Sequence, residues 1–301
     1  MAFITDSFTR LAMEPPLRVL VRAVLRLFPT SVSTRVQWEI SRRPVYLLGV
    51  YSAAIEAERE GVGQISVIEF GVAGGSGLVT LQDEAAAVEA ATGIGIKVYG
   101  FDAGAAGLPS LIGDHRDHPD AWRPGDYPMN EALLRSRLTA RTSLIIGDVQ
   151  DTVPDFFQCL NPPPVGFVAV DLDLYSSTRA ALEMLAAPGR RMLRHVPMYF
   201  DDVDFLFNHR FAGELLAIEE FNTRHAHVKI DRWHGVRAGR PFPERGYFDK
   251  LYVAHDLAAI ASAQLARTPV HLPLEAGGRP AAPGTTRETN GRPVNPAGRA
   301  S

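Results

Sequence analysis

Short apolar strands alternating with helical stretches predict an α/β fold built on a doubly wound, Rossmann-like parallel sheet flanked by helices. Three observations carry this reading. Apolar runs recur at 65–70, 97–102, 143–147, 165–171 and 195–201, with helix-favouring sequence between most of them, and strands separated by helices pair in parallel. The runs are nearly continuous, as in VGFVAVD and HVPMYFDD, which is the pattern of strands covered by helices on both faces. The stretch SVIEFGVAGGSGLVTL, residues 66–81, passes from β-branched residues through a glycine cluster into helix-forming sequence. That is the strand, tight turn and helix start that hold nucleotide-like ligands.

Taken in order, residues 1–45 form a helical N-terminal extension. In PPLRVLVRAVLRLF, residues 15–28, the arginines at 18, 22 and 26 fall on one helical face opposite leucine and valine. Such a helix packs on the main domain or on a second subunit, or else lies on a membrane surface. The main domain spans 46–265. Its first strand ends at Glu69 and the glycine turn, with Gly71, Gly75 and Ser76 as the backbone expected to approach a cofactor. A polar, aromatic insertion, HRDHPDAWRPGDYPMN, residues 115–130, has too much proline and glycine for a regular helix. It reads as a lid or substrate wall, or as a surface excursion. Apolar segments at 227–231 and 248–254 complete a seven-stranded sheet as an edge hairpin. Beyond residue 268 the composition turns to Pro, Gly, Arg, Thr and Asn, so 266–301 is expected to be a disordered tail.

Composition narrows the partners. A chain of 301 residues with 46% hydrophobic and 22% charged residues buries one large core. The net charge of −3 gives no electrostatic drive toward nucleic acid or anionic membranes. Cys159 is the only cysteine, which excludes an intrachain disulfide framework and a cysteine-built zinc site and fits a reducing cytoplasm. No apolar run is long enough for a membrane span.

Ligands of a doubly wound sheet sit outside the carboxyl ends of its strands, so the residues ending each strand are the candidates. Asp102, after the second strand, is placed to accept ribose hydroxyls or to cap a helix. Asp148 meets an adenine amino group or caps the segment DTVPDFF. The fourth strand ends VAVDLDLYSST and the fifth MYFDD, so Asp171 faces Asp201 and Asp202 across neighbouring strands about 4.8 Å apart. Carboxylates this close repel one another unless a cation neutralises them, and oxygen-only ligands favour Mg2+ or another hard divalent cation. Asp173 is expected to point away from Asp171 and cap the following helix. Glu214, in FAGELLAIEEFN, is expected on a solvated helix face. The histidines lack metal-ligand spacing, and His209 lies near enough to Asp202 to be considered as a base.

These motifs resemble a known set. EFGVAGGSG is similar to the first motif of class I S-adenosylmethionine-dependent methyltransferases, and GFDAGAAGLP, GDVQDTVP, VDLDLYSST and MYFDD resemble motifs of the macrocin O-methyltransferase (TylF-type) family. The resemblance covers roughly residues 45–205. It implies a seven-stranded class I methyltransferase sheet with S-adenosylmethionine as methyl donor bound by Glu69, Gly71, Gly75, Ser76, Asp102 and Asp148. It also implies Mg2+ on Asp171, Asp201 and Asp202, Asp171 as the catalytic base, and a small-molecule hydroxyl acceptor such as a sugar or polyol. Leu172 stands where the family has a small residue between the acids, which implies a reshaped acceptor pocket. An NAD(P)-dependent oxidoreductase and a catalytically silent S-adenosylmethionine-binding protein are the alternatives, and a homo-oligomer through the N-terminal helices is a possible assembly.

Overall fold

The computed structural model describes residues 16–187 and 191–263; the expected tail, 266–301, lies outside them. Seven strands form one sheet. Five are parallel: β1 (Gln64–Phe70), β2 (Gly95–Asp102), β3 (Thr142–Ile146), β4 (Val165–Val170) and β5 (His195–Phe200). β6 (Val228–Arg232) and β7 (Leu251–Asp256) are antiparallel to each other, and β7 pairs antiparallel with β5. The order is β3-β2-β1-β4-β5-β7-β6. The edge pair expected from the sequence is therefore present, with β7 rather than β6 joining the parallel strands.

The helices are α1 (Leu17–Leu25), α2 (Val32–Gln37), α3 (Pro44–Glu60), α4 (Ser76–Thr92), α5 (Glu131–Arg135), α6 (Val149–Leu160), α7 (Tyr175–Leu182), α8 (Gly213–Arg224) and α9 (Leu257–Ser262). α3 starts with Pro44, whose fixed φ suits a first helical position. It buries Tyr46, Leu47, Val50, Ala53, Ala54 and Ala57, and a fully buried Leu or Val contributes roughly 1.5–3 kcal/mol. A Cβ on Gly49 would overlap the Phe167 ring of β4, so this glycine sets how closely α3 approaches the sheet. α1 turns its arginines inward: Arg18 donates to the Pro241 carbonyl at 2.6 Å and to Glu244, and Arg22 donates to the Glu39 carbonyl at 2.8 Å. Both guanidinium groups lie over the Phe242 ring. The helix thus packs on the main domain through its charged face, while Val19 and Leu20 are exposed.

What positions the site is the register at the strand ends. β1 and β4 pair Phe70 with Val170, and β4 and β5 pair Val170 with Phe200. The ladder continues one residue further, with Gly71 N–H on the Phe101 carbonyl, Asp171 N–H on Phe70 and Asp201 N–H on Val170, at 2.9, 2.9 and 3.0 Å. Gly71, Asp171 and Asp201 therefore leave the sheet at one height. Gly71 has φ 80°, and a Cβ there would overlap the carbonyl oxygen of Asp171. Its glycine is required by the approach of β4, where the sequence suggested room for a ligand.

Gly71→Ala should therefore cost on the order of 3 kcal/mol or more through overlap and left-handed strain, whereas Gly74→Ala, with nothing within 4 Å of its added Cβ, should cost little. Denaturant midpoints of the two variants check this; equal midpoints would contradict it.

Candidate active site

The strand order reverses between β1 and β4, and a cleft of about 390 Å³ opens there. Its first wall is the turn between β1 and α4. Val72 and Ala73 both donate their N–H to Asp102 Oδ2 at 2.8 Å, and Gly104 N–H reaches Oδ1 at 2.6 Å. The carboxylate expected to meet a ribose is thus also a clasp that holds the glycine turn against the end of β2, and it lines the cleft. Gly71, Val72, Ala73, Gly74 and Ser76 line the cleft. Gly75 does not: its Cα faces Leu134, which a Cβ would overlap, and its left-handed φ of 82° turns the chain into α4. Asp148 lines the cleft but also caps α6, accepting Gln150 N–H at 2.9 Å.

Behind the turn lies a buried polar layer. The Tyr46 hydroxyl donates to Glu69 Oε1 at 2.6 Å, while Glu69 Oε2 has no partner. Glu69 packs so closely on α4 that a Cβ on Gly77 would overlap its carboxylate. Burial pushes the Glu69 carboxyl up to about 8, against the opposing pull of the Tyr46 hydrogen bond and of Arg43. Arg43, which immediately precedes α3, also lines the cleft and donates to the Tyr46 hydroxyl at 3.0 Å. Sequence reasoning missed it, because it stands outside every strand end and its only local signal is that it precedes a proline.

The opposite wall is acidic. Asp171, Asp173, Asp201 and Asp202 all line the cleft. Asp173 was expected to cap a helix, yet α7 begins without a side-chain cap and Asp173 adopts a left-handed φ of 60°. That turn breaks the strand alternation and keeps Asp173 with its neighbours. Burial, reinforced by the neighbouring acids, raises Asp171 to about 7, Asp173 to about 8 and Asp202 to about 6. Glu214 is fully buried, contrary to the expected solvated face, and its Oε2 accepts Asp202 N–H at 2.9 Å. Asp201 is differently engaged, accepting the Tyr199 hydroxyl and facing Lys250 Nζ at 3.5 Å.

The donor set has the right chemistry for a hard divalent cation. Asp202 Oδ2 is buried with no partner, and the elevated carboxyls of Asp171, Asp173 and Asp202 mark uncompensated charge. Among the described residues, however, no three His, Cys, Asp or Glu side chains stand together closely enough to form a ligand set.

The third wall comes from Leu108 and Pro109 and from the 115–130 insertion, which contributes Trp122, Asp126 and Tyr127. The insertion is anchored: buried Asp117 accepts Ser176 N–H at 2.8 Å, the Ser176 hydroxyl at 3.0 Å and Ile112 N–H at 2.8 Å. His209 is exposed, stacks on His118 at 4.9 Å and does not line the cleft, which removes it as a base.

The strand order and the cleft at its reversal are those of the seven-stranded class I methyltransferase fold. No protein-family model and no curated protein sequence matches the chain. Among solved structures it is similar to the calicheamicin methyltransferase CalS11, with 22% identity over 81% of this chain and 93% of that one and a TM-score of 0.47. It is also similar to the O-methyltransferase NovP, with 17% identity, 60% and 72% coverage and a TM-score of 0.44. A further similar structure is the O-methyltransferase TomG from Streptomyces achromogenes, involved in tomaymycin synthesis and solved in complex with SAM, with 14% identity, 80% and 95% coverage and a TM-score of 0.43. Likeness at this level carries no argument about activity, which rests on the site.

The buried Glu69 generates a pH dependence. Its folded-state carboxyl holds a proton up to about 8, while an unfolded glutamate releases it near its ordinary value of about 4.3. Between those values the folded state binds more protons, so stability falls as pH rises through the window and levels off above it. Glu69→Gln keeps an acceptor for Tyr46 and should flatten that fall. Thermal midpoints from pH 4 to 9 measure it; parallel curves for both proteins would contradict the assignment.

Proposed function

We propose that the protein is an S-adenosylmethionine-dependent O-methyltransferase acting on a hydroxyl of a small molecule, with a sugar or polyol as the acceptor class. The observation that carries the reading is the meeting, in one cleft, of the glycine turn after β1 with the acids at the ends of β4 and β5. A wall of Leu108, Pro109, Trp122 and Val149 suits the flat, apolar face of a nucleoside. The acidic wall favours a ligand whose reacting centre is a sulfonium cation.

In this reading the Gly71–Ser76 turn and the Trp122 wall hold the donor, and Asp171 takes the acceptor's proton. The acceptor oxygen then forms its bond to the methyl carbon as the sulfur–methyl bond breaks, leaving S-adenosylhomocysteine and a methyl ether. With no cation bound, burial and the neighbouring acids raise the Asp171 carboxyl to about 7, a range suited to receiving a proton at neutral pH; a bound cation would draw it down and leave Asp171 a weaker base. Asp171, Asp201 and Asp202 would hold Mg2+ or another hard divalent cation, which when bound lowers the pKa of the acceptor hydroxyl. Asp173 extends that wall along the cleft, and Glu214 supports it from behind through the Asp202 N–H. Leu172 lines the cleft between the acids and narrows the acceptor side.

Isothermal titration with S-adenosylmethionine, S-adenosylhomocysteine and NAD, with and without Mg2+, tests the reading. Micromolar binding of the first two and none of NAD is expected; binding of NAD alone would replace it with an oxidoreductase. Asp171→Asn should lower turnover by at least about a hundredfold while donor affinity changes little, and loss of donor binding would move Asp171 into the donor site. Gly74→Val, at a cleft-lining position where an added Cβ meets nothing within 4 Å, should weaken the donor about tenfold or more while leaving the melting midpoint in place. Unchanged affinity would displace the donor from the turn.

A further inference from the structure

Among the described residues, eight acidic side chains and one basic side chain, Arg43, line the cleft. Most of these acids are committed. Glu69 accepts the Tyr46 hydroxyl, Asp102 clasps the glycine turn and Asp148 caps α6, while Asp171, Asp201 and Asp202 are the proposed cation ligands. Asp173 and Asp126 are left over. Asp173 is only 8% exposed and lines the cleft, yet no hydrogen bond or ion pair reaches its carboxylate among the described residues. Arg43 bonds the Tyr46 hydroxyl beside Glu69 and makes no ion pair with it. Tyr127 shares this part of the wall: burial, then the charges of Asp173 and Asp126, raise its hydroxyl. Tyr127 and Asp173 are both held at left-handed φ, 59° and 60°, a conformation that such residues keep only where their surroundings impose it.

A carboxylate buried without a partner is costly unless a cation meets it. In the proposed reaction the sulfonium is directed toward Asp171 and the divalent cation toward its three ligands, so the charge that answers Asp173 falls to the acceptor. We propose that the acceptor is a hydroxylated amine, an amino sugar or aminocyclitol, whose ammonium is received by the Asp173 carboxylate with Asp126 and the Tyr127 ring beside it. An ammonium has three N–H donors for carboxylate oxygens and is attracted to the face of an aromatic ring. The same contact decides which atom is methylated. An amine held as its ammonium has no lone pair to attack the methyl carbon, which leaves the hydroxyl beside Asp171 as the nucleophile. Phosphorylated and uronic-acid sugars meet repulsion from the same wall.

This acceptor class rests on the methyltransferase reading, and the test separates the two. Titrations with S-adenosylhomocysteine and Mg2+ present compare glucosamine, galactosamine and mannosamine with their N-acetyl counterparts, which keep the ring and its hydroxyls and lose the charge. In at least one pair the amine should bind about tenfold to a hundredfold more tightly, the worth of a charge-assisted hydrogen bond. Asp173→Asn should abolish that preference. It should leave the affinities for the N-acetyl sugar and for S-adenosylhomocysteine in place, and the melting midpoint with them, since asparagine tolerates a left-handed φ and no bond of the Asp173 carboxylate is lost. Absence of a preference in every pair, or a preference that survives Asp173→Asn, would overturn the proposal. Loss of S-adenosylhomocysteine binding in that variant would also overturn it, by giving Asp173 to the donor's own ammonium. A wild type that does not bind S-adenosylhomocysteine would overturn the methyltransferase reading itself.

Discussion

The carbonyl oxygen of Asp171 occupies the space that any side chain at residue 71 would need. This close approach of two strand ends fixes the rest of the site. It brings the turn after β1 and the acids after β4 to the same height, and the parallel ladder carries β5 and Asp201 along with them. Hydrogen bonds from Val72, Ala73 and Gly104 to Asp102 then clamp the turn from the other side. The cleft is therefore defined by backbone approach and by one side-chain clasp, the Asp102 carboxylate.

What the backbone assembles is electrostatically unfavourable by itself. Asp171, Asp173 and Asp202 are held above their ordinary range by burial first and by one another second, and Glu214 is buried directly behind Asp202. A folded protein tolerates such a group where its function uses it. A cationic reacting centre, a divalent cation and a transferred proton would each relieve the same charge, and the methyl transfer we propose would bring all three to one acidic wall.

Much of this was legible in the sequence, because strand length, continuous apolar runs and the glycine cluster are local signals. The five parallel strands and the edge pair lie within three residues of the expected positions. The departures share a cause, which is that a side chain's direction depends on partners far away in the chain. Asp173 stays in the cleft because a left-handed residue breaks strand alternation. Glu214 is buried by its bond to Asp202, twelve positions earlier. Asp102 has the residue type and place of a ribose ligand and lines the cleft, but its hold on the glycine turn through three N–H groups could not be read from the sequence. Arg43 carries no motif at all, and only the packing of α3 across the sheet reveals that it faces the acids. α1 inverts the usual expectation for an amphipathic helix, since Phe242, Glu244 and the Glu39 carbonyl give its arginines a better partner than water.

The proposed function puts the donor on the glycine turn and a hard cation on the acids of one cleft. Anomalous diffraction from crystals grown with S-adenosylhomocysteine and Mn2+ tests it most directly. The account predicts nucleoside density between the Gly71–Ser76 turn and Trp122, with an anomalous peak beside Asp171, Asp201 and Asp202. A nucleoside bound elsewhere, or a manganese peak remote from those carboxylates with the nucleoside in place, would contradict it.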